Sequence, residues 1–178
     1  MSNVGPEGRS FHQITQADLQ RLAQIAADDL SDFFDRHPEW AGQYQNRVLG
    51  TALCQGAASH YLHGEAGIND FDVYTFFARN PVRDWYAKRN KTADFGVPKF
   101  GTSVDQPGFL GRRVDLLGRS LDVSVGTDVG LAIRRWLQAG RTKSAQLLAA
   151  KAVVLLSPAD RLGEVVWPAP LDAVSATL

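Results

Sequence analysis

Residues 67–77 read GINDFDVYTFF. Asp70 and Asp72 stand one residue apart in a stretch whose other members are mostly apolar or aromatic. If GIND turns the chain into a strand over 71–78, residues two apart share a face. The two carboxylates then lie side by side, while Phe71 and Val73 go to the opposite face. Two carboxylates a few ångströms apart repel, and ionising both is costly unless a cation or donors lie between them. The pair therefore reads as a candidate metal site. The plainer alternative is an Asx turn after Gly67-Ile68-Asn69 followed by one exposed strand aspartate.

Upstream, RVLGTALCQGAASHYLHG predicts a strand over about 48–55 that turns at Gly56 into a short helix. A glycine at a strand-to-helix junction lets backbone donors approach a ligand, and a helix N-terminus favours anions. Further upstream, Thr15 with Asp18 three residues on resembles an N-terminal cap. Leu19, Leu22, Ile25, Ala26, Leu30 and Phe33 recur at helical spacing, so a helix is expected from about 15 to 36, stopped by His37-Pro38.

Downstream, Asn80-Pro81 suits another helix start, with Val82, Trp85 and Tyr86 apolar and Arg83, Lys88 and Arg89 wet. Residues 90–108 read as a long polar connection, a length that is uncommon unless the segment does something. We expect it to close over a bound ligand. FLGRRVDLLGRSLDV alternates like one or two strands and carries Asp115 on the face of Arg113. On its own, Asp115 reads as an ion-pair partner of Arg112, Arg113 or Arg119; the two earlier acids lift it above that. Thr127-Asp128 caps a helix that ends at Gly140, a further helix follows over TKSAQLLAAK, and VVLLSP reads as strand or a last helical turn.

The 178 residues allow one domain, burying roughly 70% of its unfolded surface. Residues 1–10 are expected to fray and 158–178 to wrap the surface. Nineteen Lys and Arg balance nineteen Asp and Glu, so there is no overall pull toward nucleic acid or an anionic membrane, and any anion site must be local. The single cysteine, Cys54, excludes an internal disulfide and a cysteine zinc cluster. No signal-peptide pattern or membrane-length apolar run is visible, so a cytoplasmic protein with no membrane partner is expected. His60 and His63 stand three apart on the short helix without a third ligand, and satisfied or surface histidines are the expectation.

Gly56 and Ala57, twelve residues later Asp70-Phe71-Asp72-Val73, and then Val114-Asp115-Leu116 together resemble the DNA polymerase β superfamily of nucleotidyltransferases. That family's signature is an apolar residue, glycine, glycine or serine, a spacer of about nine to thirteen residues, an Asp-apolar-acid-apolar run, and a third acid on a later strand. The resemblance covers about residues 48–118. Gln55 stands where the family has an apolar residue, and Ala57 stands where it has serine or glycine. Ala57 lacks the hydroxyl that usually meets the nucleotide phosphates, while the backbone donors remain and Ser59 lies a little further on.

The resemblance implies an α+β fold with a nucleotidyltransferase-type core, a mixed, mostly antiparallel sheet backed by helices. It implies two Mg²⁺ ions, with Mn²⁺ as the alternative, held by Asp70, Asp72 and Asp115, which would also be the catalytic residues. The nucleotide would lie against Gly56, Ala57, Ser59 and Arg113, with Arg112 and Lys99 as further phosphate neutralisers. The implied reaction transfers a nucleoside monophosphate from an NTP such as ATP to an acceptor hydroxyl on a small molecule, a protein side chain or an RNA end, releasing pyrophosphate. The alternative is a non-catalytic binding or regulatory module of the same fold, such as a toxin–antitoxin component. A metal-dependent phosphohydrolase would use similar acids but would not need the glycine at that distance.

Overall fold

The computed structural model describes residues 8–85, 90–96, 99–102 and 107–169. Three of the five α-helices among the described residues start where a side chain satisfies a first N–H group. Thr15 accepts from the Asp18 N–H while Asp18 Oδ2 accepts from the Thr15 N–H at 2.7 Å, and this capping box opens α1 (Gln16–Arg36). His37 ends α1, as the His-Pro pair predicts. Pro38 then begins a second helix, α2 (Pro38–Tyr44), which the sequence reading did not anticipate; proline fits the first helical position because its missing N–H has no partner there anyway.

β1 (Val48–Cys54) runs straight into α3 (Gln55–His63), which Gly64 ends at φ 72°. β2 (Phe71–Ala78), β3 (Lys91–Asp94) and β4 (Arg113–Leu121) follow. Then come α4 (Val129–Ala139) and α5 (Lys143–Ala149), capped by Asp128 and Thr142, and β5 (Ala152–Ser157) and β6 (Val165–Trp167).

The six strands make one mixed sheet in the order β3-β4-β2-β1-β5-β6. β2 and β4 run parallel; the other pairings are antiparallel. The α+β class with a mostly antiparallel sheet is thus observed. Strand alternation divides the interior in two. Leu53, Phe71, Val73, Val114 and Leu116 pack against Leu19, Leu22 and Ala26 of α1 and Ala57 and Ala58 of α3. From the other face, Ala52, Cys54, Tyr74, Phe76 and Val153 pack against Ala132, Ile133 and Leu137 of α4 and Leu148 of α5. The even-numbered residues of β2 and the odd-numbered residues of β4, and with them all three acids, belong to the α4–α5 face.

Four expectations differ from the structure. Residues 80–85 form no helix. Asn80 Oδ1 accepts from the Val82 N–H, and Trp85 drops into a cluster with Phe33, Trp40, Tyr44 and Phe77, stacked on Phe77 at 4.1 Å between ring centroids. A short segment with one large aromatic gains more from burying that ring than from a marginal helix. Tyr86, Lys88 and Arg89 lie outside the described residues.

The long connection contains β3, which pairs with β4, and Phe95 and Phe100, whose rings pack on Phe71 at 5.1 and 5.2 Å. Its described parts are therefore anchored in the core, with Lys91 Nζ also 2.6 Å from the buried Asp29 of α1. Residues 165–167, expected within a surface-wrapping tail, form β6 on the edge of β5. Near the other terminus, Ser10 is fully buried and bridges Ile68, so the segment expected to fray is held from at least that point. Among the described residues no helix is long and apolar enough to cross a membrane.

Gly118 of β4 lies directly under the Trp85 indole, where an added Cβ would fall 2.0 Å from Nε1. Gly118→Ala is expected to lower stability by about 1–3 kcal/mol in urea unfolding. Gly42→Ala, inside α2 with nothing within 4 Å of the new Cβ, is expected to raise it by up to about 1 kcal/mol.

Candidate acidic site at the sheet end

The register of the parallel pair builds the site. Asp72 and Asp115 are direct partners across β2 and β4, and Cys54 is the partner of Asp72 on β1. One row therefore crosses the sheet as Thr92, Asp115, Asp72, Cys54 and Val153. Asp70 stands one step before β2 begins, so it faces the same side as Asp72 at the sheet's end. Cys54 and Val153 are fully buried, whereas Asp70 and Asp115 keep about a quarter of their side-chain surface exposed. The row thus passes from core to solvent, with the acids at the transition.

Arg113 joins two of the three acids. Its Nη2 donates to Asp70 Oδ2 at 2.8 Å, and its Nε stands 3.2 Å from Asp115 Oδ1. The second contact is an ion pair without hydrogen-bond geometry: Nε is buried and makes no hydrogen bond. The bond to Asp70 and the charge of Asp115 hold the guanidinium above its usual pKa, against its own burial. Thr92 Oγ1 donates to Asp115 Oδ1 at 3.1 Å. Asp72 accepts no hydrogen bond and forms no ion pair among the described residues. Burial, then Asp70, then Asp115 push its carboxyl up to about 7, against the opposing pull of Lys151 and Arg113. Beneath it, burial lifts the Tyr74 hydroxyl to about 12 and holds the Cys54 thiol well above its ordinary range, with Asp72 adding to both.

The N-terminus of α3 meets this row because β1 ends at Cys54, opposite Asp72. Gln55 takes φ 60°, a left-handed conformation that costs an ordinary residue on the order of 1 kcal/mol. Gly56 sits near Lys151, whose Nζ would be 3.9 Å from an added Cβ. Ala57 is 2% exposed and packs in the α1-side core. Its backbone N–H is all that it can lend a phosphate, and a serine hydroxyl in its place would have to be buried. Ser59, two residues further along α3, is half-buried.

Of the residues read from the sequence, the structure brings together Asp70, Asp72, Asp115 and Arg113, with Gly56 adjoining. Two phosphate neutralisers are displaced. Arg112 points to the opposite face, 2% exposed, donating to the Phe100 carbonyl at 3.1 Å and the Gly8 carbonyl at 2.7 Å. Lys99 Nζ lies 2.7 Å from Asp18 at the start of α1. Alternation along β4 decides the first, since neighbouring residues on a strand face opposite ways.

Lys151 is the residue that sequence reasoning missed. Its signal was there, a lone cation interrupting the apolar run AKAVVLL just before β5. His60 is a satisfied core histidine: Nδ1 accepts from the Gly67 N–H at 3.0 Å, so Nε2 carries the proton and donates to the His12 carbonyl at 3.1 Å.

As the side chains stand, no group of three or more His, Cys, Asp and Glu among the described residues is assembled to hold a metal ion. Arg113 occupies the place between Asp70 and Asp115. The donor chemistry nonetheless fits a hard divalent cation. Three carboxylates come from β4 and from the start of β2, and one of them is half-buried, unpaired and pushed up to about 7 by burial first and then by Asp70 and Asp115. Comparison with known protein families, with curated proteins and with solved structures finds no match to this chain.

Because folding raises the Asp72 pKa, the native state binds this proton more tightly than the unfolded chain does. The associated stability is present at pH 4 and below, and is lost as pH rises toward about 7. Protein stripped of metal with chelator is expected to lose on the order of 1–2 kcal/mol over that interval, after allowance for solvent screening. Asp72→Asn should flatten this slope in denaturant titrations run from pH 4 to pH 8.

Proposed function

We propose that this protein is a metal-dependent nucleotidyltransferase that moves a nucleoside monophosphate from an NTP to an acceptor hydroxyl and releases pyrophosphate. The observation that supports the reading is the direct opposition of Asp72 and Asp115 on parallel strands, with Asp70 one step away and the N-terminus of α3 beside them. This is the arrangement that the resemblance to the DNA polymerase β superfamily implies for its three acids and its glycine.

In this reading Asp70, Asp72 and Asp115 would hold Mg²⁺, whose charge would bind the phosphate oxygens and offset the negative charge of the transition state. Arg113 would leave the acids when the cation arrives and turn its guanidinium to the phosphates. The backbone N–H groups of Gly56 and Ala57, with Lys151 beside them, would orient the triphosphate. Asp115, on the strand nearer the sheet edge, would accept the proton of the acceptor hydroxyl. That oxygen would form the new bond to the α-phosphorus as the bond to pyrophosphate breaks.

Calorimetric titration of Mg²⁺ with a panel of NTPs tests the proposal. Metal-dependent nucleotide binding is expected in the wild type and at least 10-fold weaker binding in Asp72→Asn. Absence of binding with every NTP would sink the catalytic reading.

One observation favours a second reading, a non-catalytic module of the same fold. Arg113 already supplies an internal positive charge to two of the acids, which a retired metal site would need. Arg113→Gln separates the two. In a metal enzyme this variant should be stabilised by Mg²⁺ more than the wild type is, read as a larger rise in melting temperature. In a retired site, melting should fall by several degrees with no rescue by Mg²⁺.

A further inference from the structure

The same sheet face carries a second polar site at its other end. Between β4 and α4 lies a cavity of about 520 Å³, with Leu121, Val123, Ala132 and Trp136 among its apolar lining. Arg119, Arg135 and Arg141 also line it. Arg119 stands four residues beyond Asp115 on the same face of β4, about 13 Å along the strand. The cavity is thus separate from the acidic row.

The charge of this cavity is not internally balanced. Arg79 and Asp84 on its wall pair with each other at 2.8 Å. Arg135 and Arg141 are exposed and form no ion pair or hydrogen bond among the described residues. Arg119 is half-buried; one Nη donates to the Ser144 hydroxyl, and its Nε is buried without a hydrogen bond. Its guanidinium also lies 6.0 Å from the centre of the Trp136 ring. The remaining acid on the wall is Asp122, exposed and with no ion pair among the described residues. Three guanidinium groups against one carboxylate leave two positive charges, in a chain whose total charge is zero.

We propose that this cavity binds a small organic phosphate, its dianion held by Arg119, Arg135 and Arg141 and its apolar part laid against Trp136 and the alanines of α4. A phosphate monoester carries close to two negative charges at neutral pH and accepts planar, paired N–H donors, which guanidinium groups provide. The buried Arg119 Nε is a donor for which the protein supplies no acceptor, and a buried polar group left so is costly. An anion seated in the cavity would set a counter-charge beside this half-buried guanidinium, which forms no ion pair among the described residues. Trp136 and the aliphatic wall supply the apolar surface that small-molecule sites combine with a few directed polar groups.

Phenyl phosphate serves as the probe, titrated calorimetrically into the wild type, Arg119→Gln, the double variant Arg135→Gln/Arg141→Gln, and Asp72→Asn. Saturable binding is expected in the wild type, at least 10-fold weaker in Arg119→Gln and in the double variant, and unchanged in Asp72→Asn. Inorganic phosphate and benzoate should each bind more weakly than phenyl phosphate, the first lacking the apolar part and the second one of the charges. Because Arg135 and Arg141 are exposed, the double variant keeps the test valid if Arg119→Gln unfolds. No saturable binding, or equal binding by the double variant, would overturn the proposal. Equal affinity for inorganic phosphate would overturn the role given to the apolar wall. Retention of binding by Asp72→Asn keeps this result independent of the acidic site.

Discussion

The parallel pairing of β2 with β4 is the constraint on which the candidate site depends. Parallel strands start at the same end of a sheet, so acids close to the start of each become neighbours. Here the register makes Asp72 and Asp115 direct partners. Had β4 returned antiparallel, an acid near its start would lie opposite the far end of β2. The connection that makes the parallel pairing possible runs through β3 on the sheet edge, with Phe95 and Phe100 anchored against Phe71. The segment between the strands thus contributes to the geometry of the acids as well as to the core.

Concentrating negative charge at one edge has a cost, which the chain meets in two ways. Arg113 lies between Asp70 and Asp115, while Asp72 is left with a raised proton affinity. Lys151 approaches from β5 at the other side of the row. These are the compensations that structural ion networks and metal sites share, and they explain why both readings of the site remain physically coherent before a cation is offered. Gln55 adds a further departure from relaxed geometry. Left-handed conformation in an ordinary residue tends to collect where function constrains the chain.

Much of this was legible in the sequence where a single element sufficed to define a feature. The Thr15–Asp18 box, the Leu and Phe spacing of α1, and the Asp128 cap of α4 are local, and they fold as read. The shared face of Asp70 and Asp72 follows from alternation alone. What escaped was set by distant partners. β6 has three residues and exists because β5 offers it an edge. Trp85 abandons a helical segment for an aromatic cluster assembled from α1, α2 and β2. Arg112 and Arg113 are adjacent in sequence and alike in chemistry, yet alternation sends one into the core and the other to the acids. The family resemblance supplied the convergence of three acids, which spacing alone does not contain.

Arg112 has a further consequence, for how distant parts of the chain are tied together. Its buried guanidinium is held by two carbonyls from distant parts of the chain, Gly8 before α1 and Phe100 between β3 and β4. Burying that charge without these two carbonyls would forgo hydrogen bonds that offset its desolvation, so both segments contribute to holding the arginine in the core. This makes the arginine a clasp that couples the first described residues to the strand carrying Asp115.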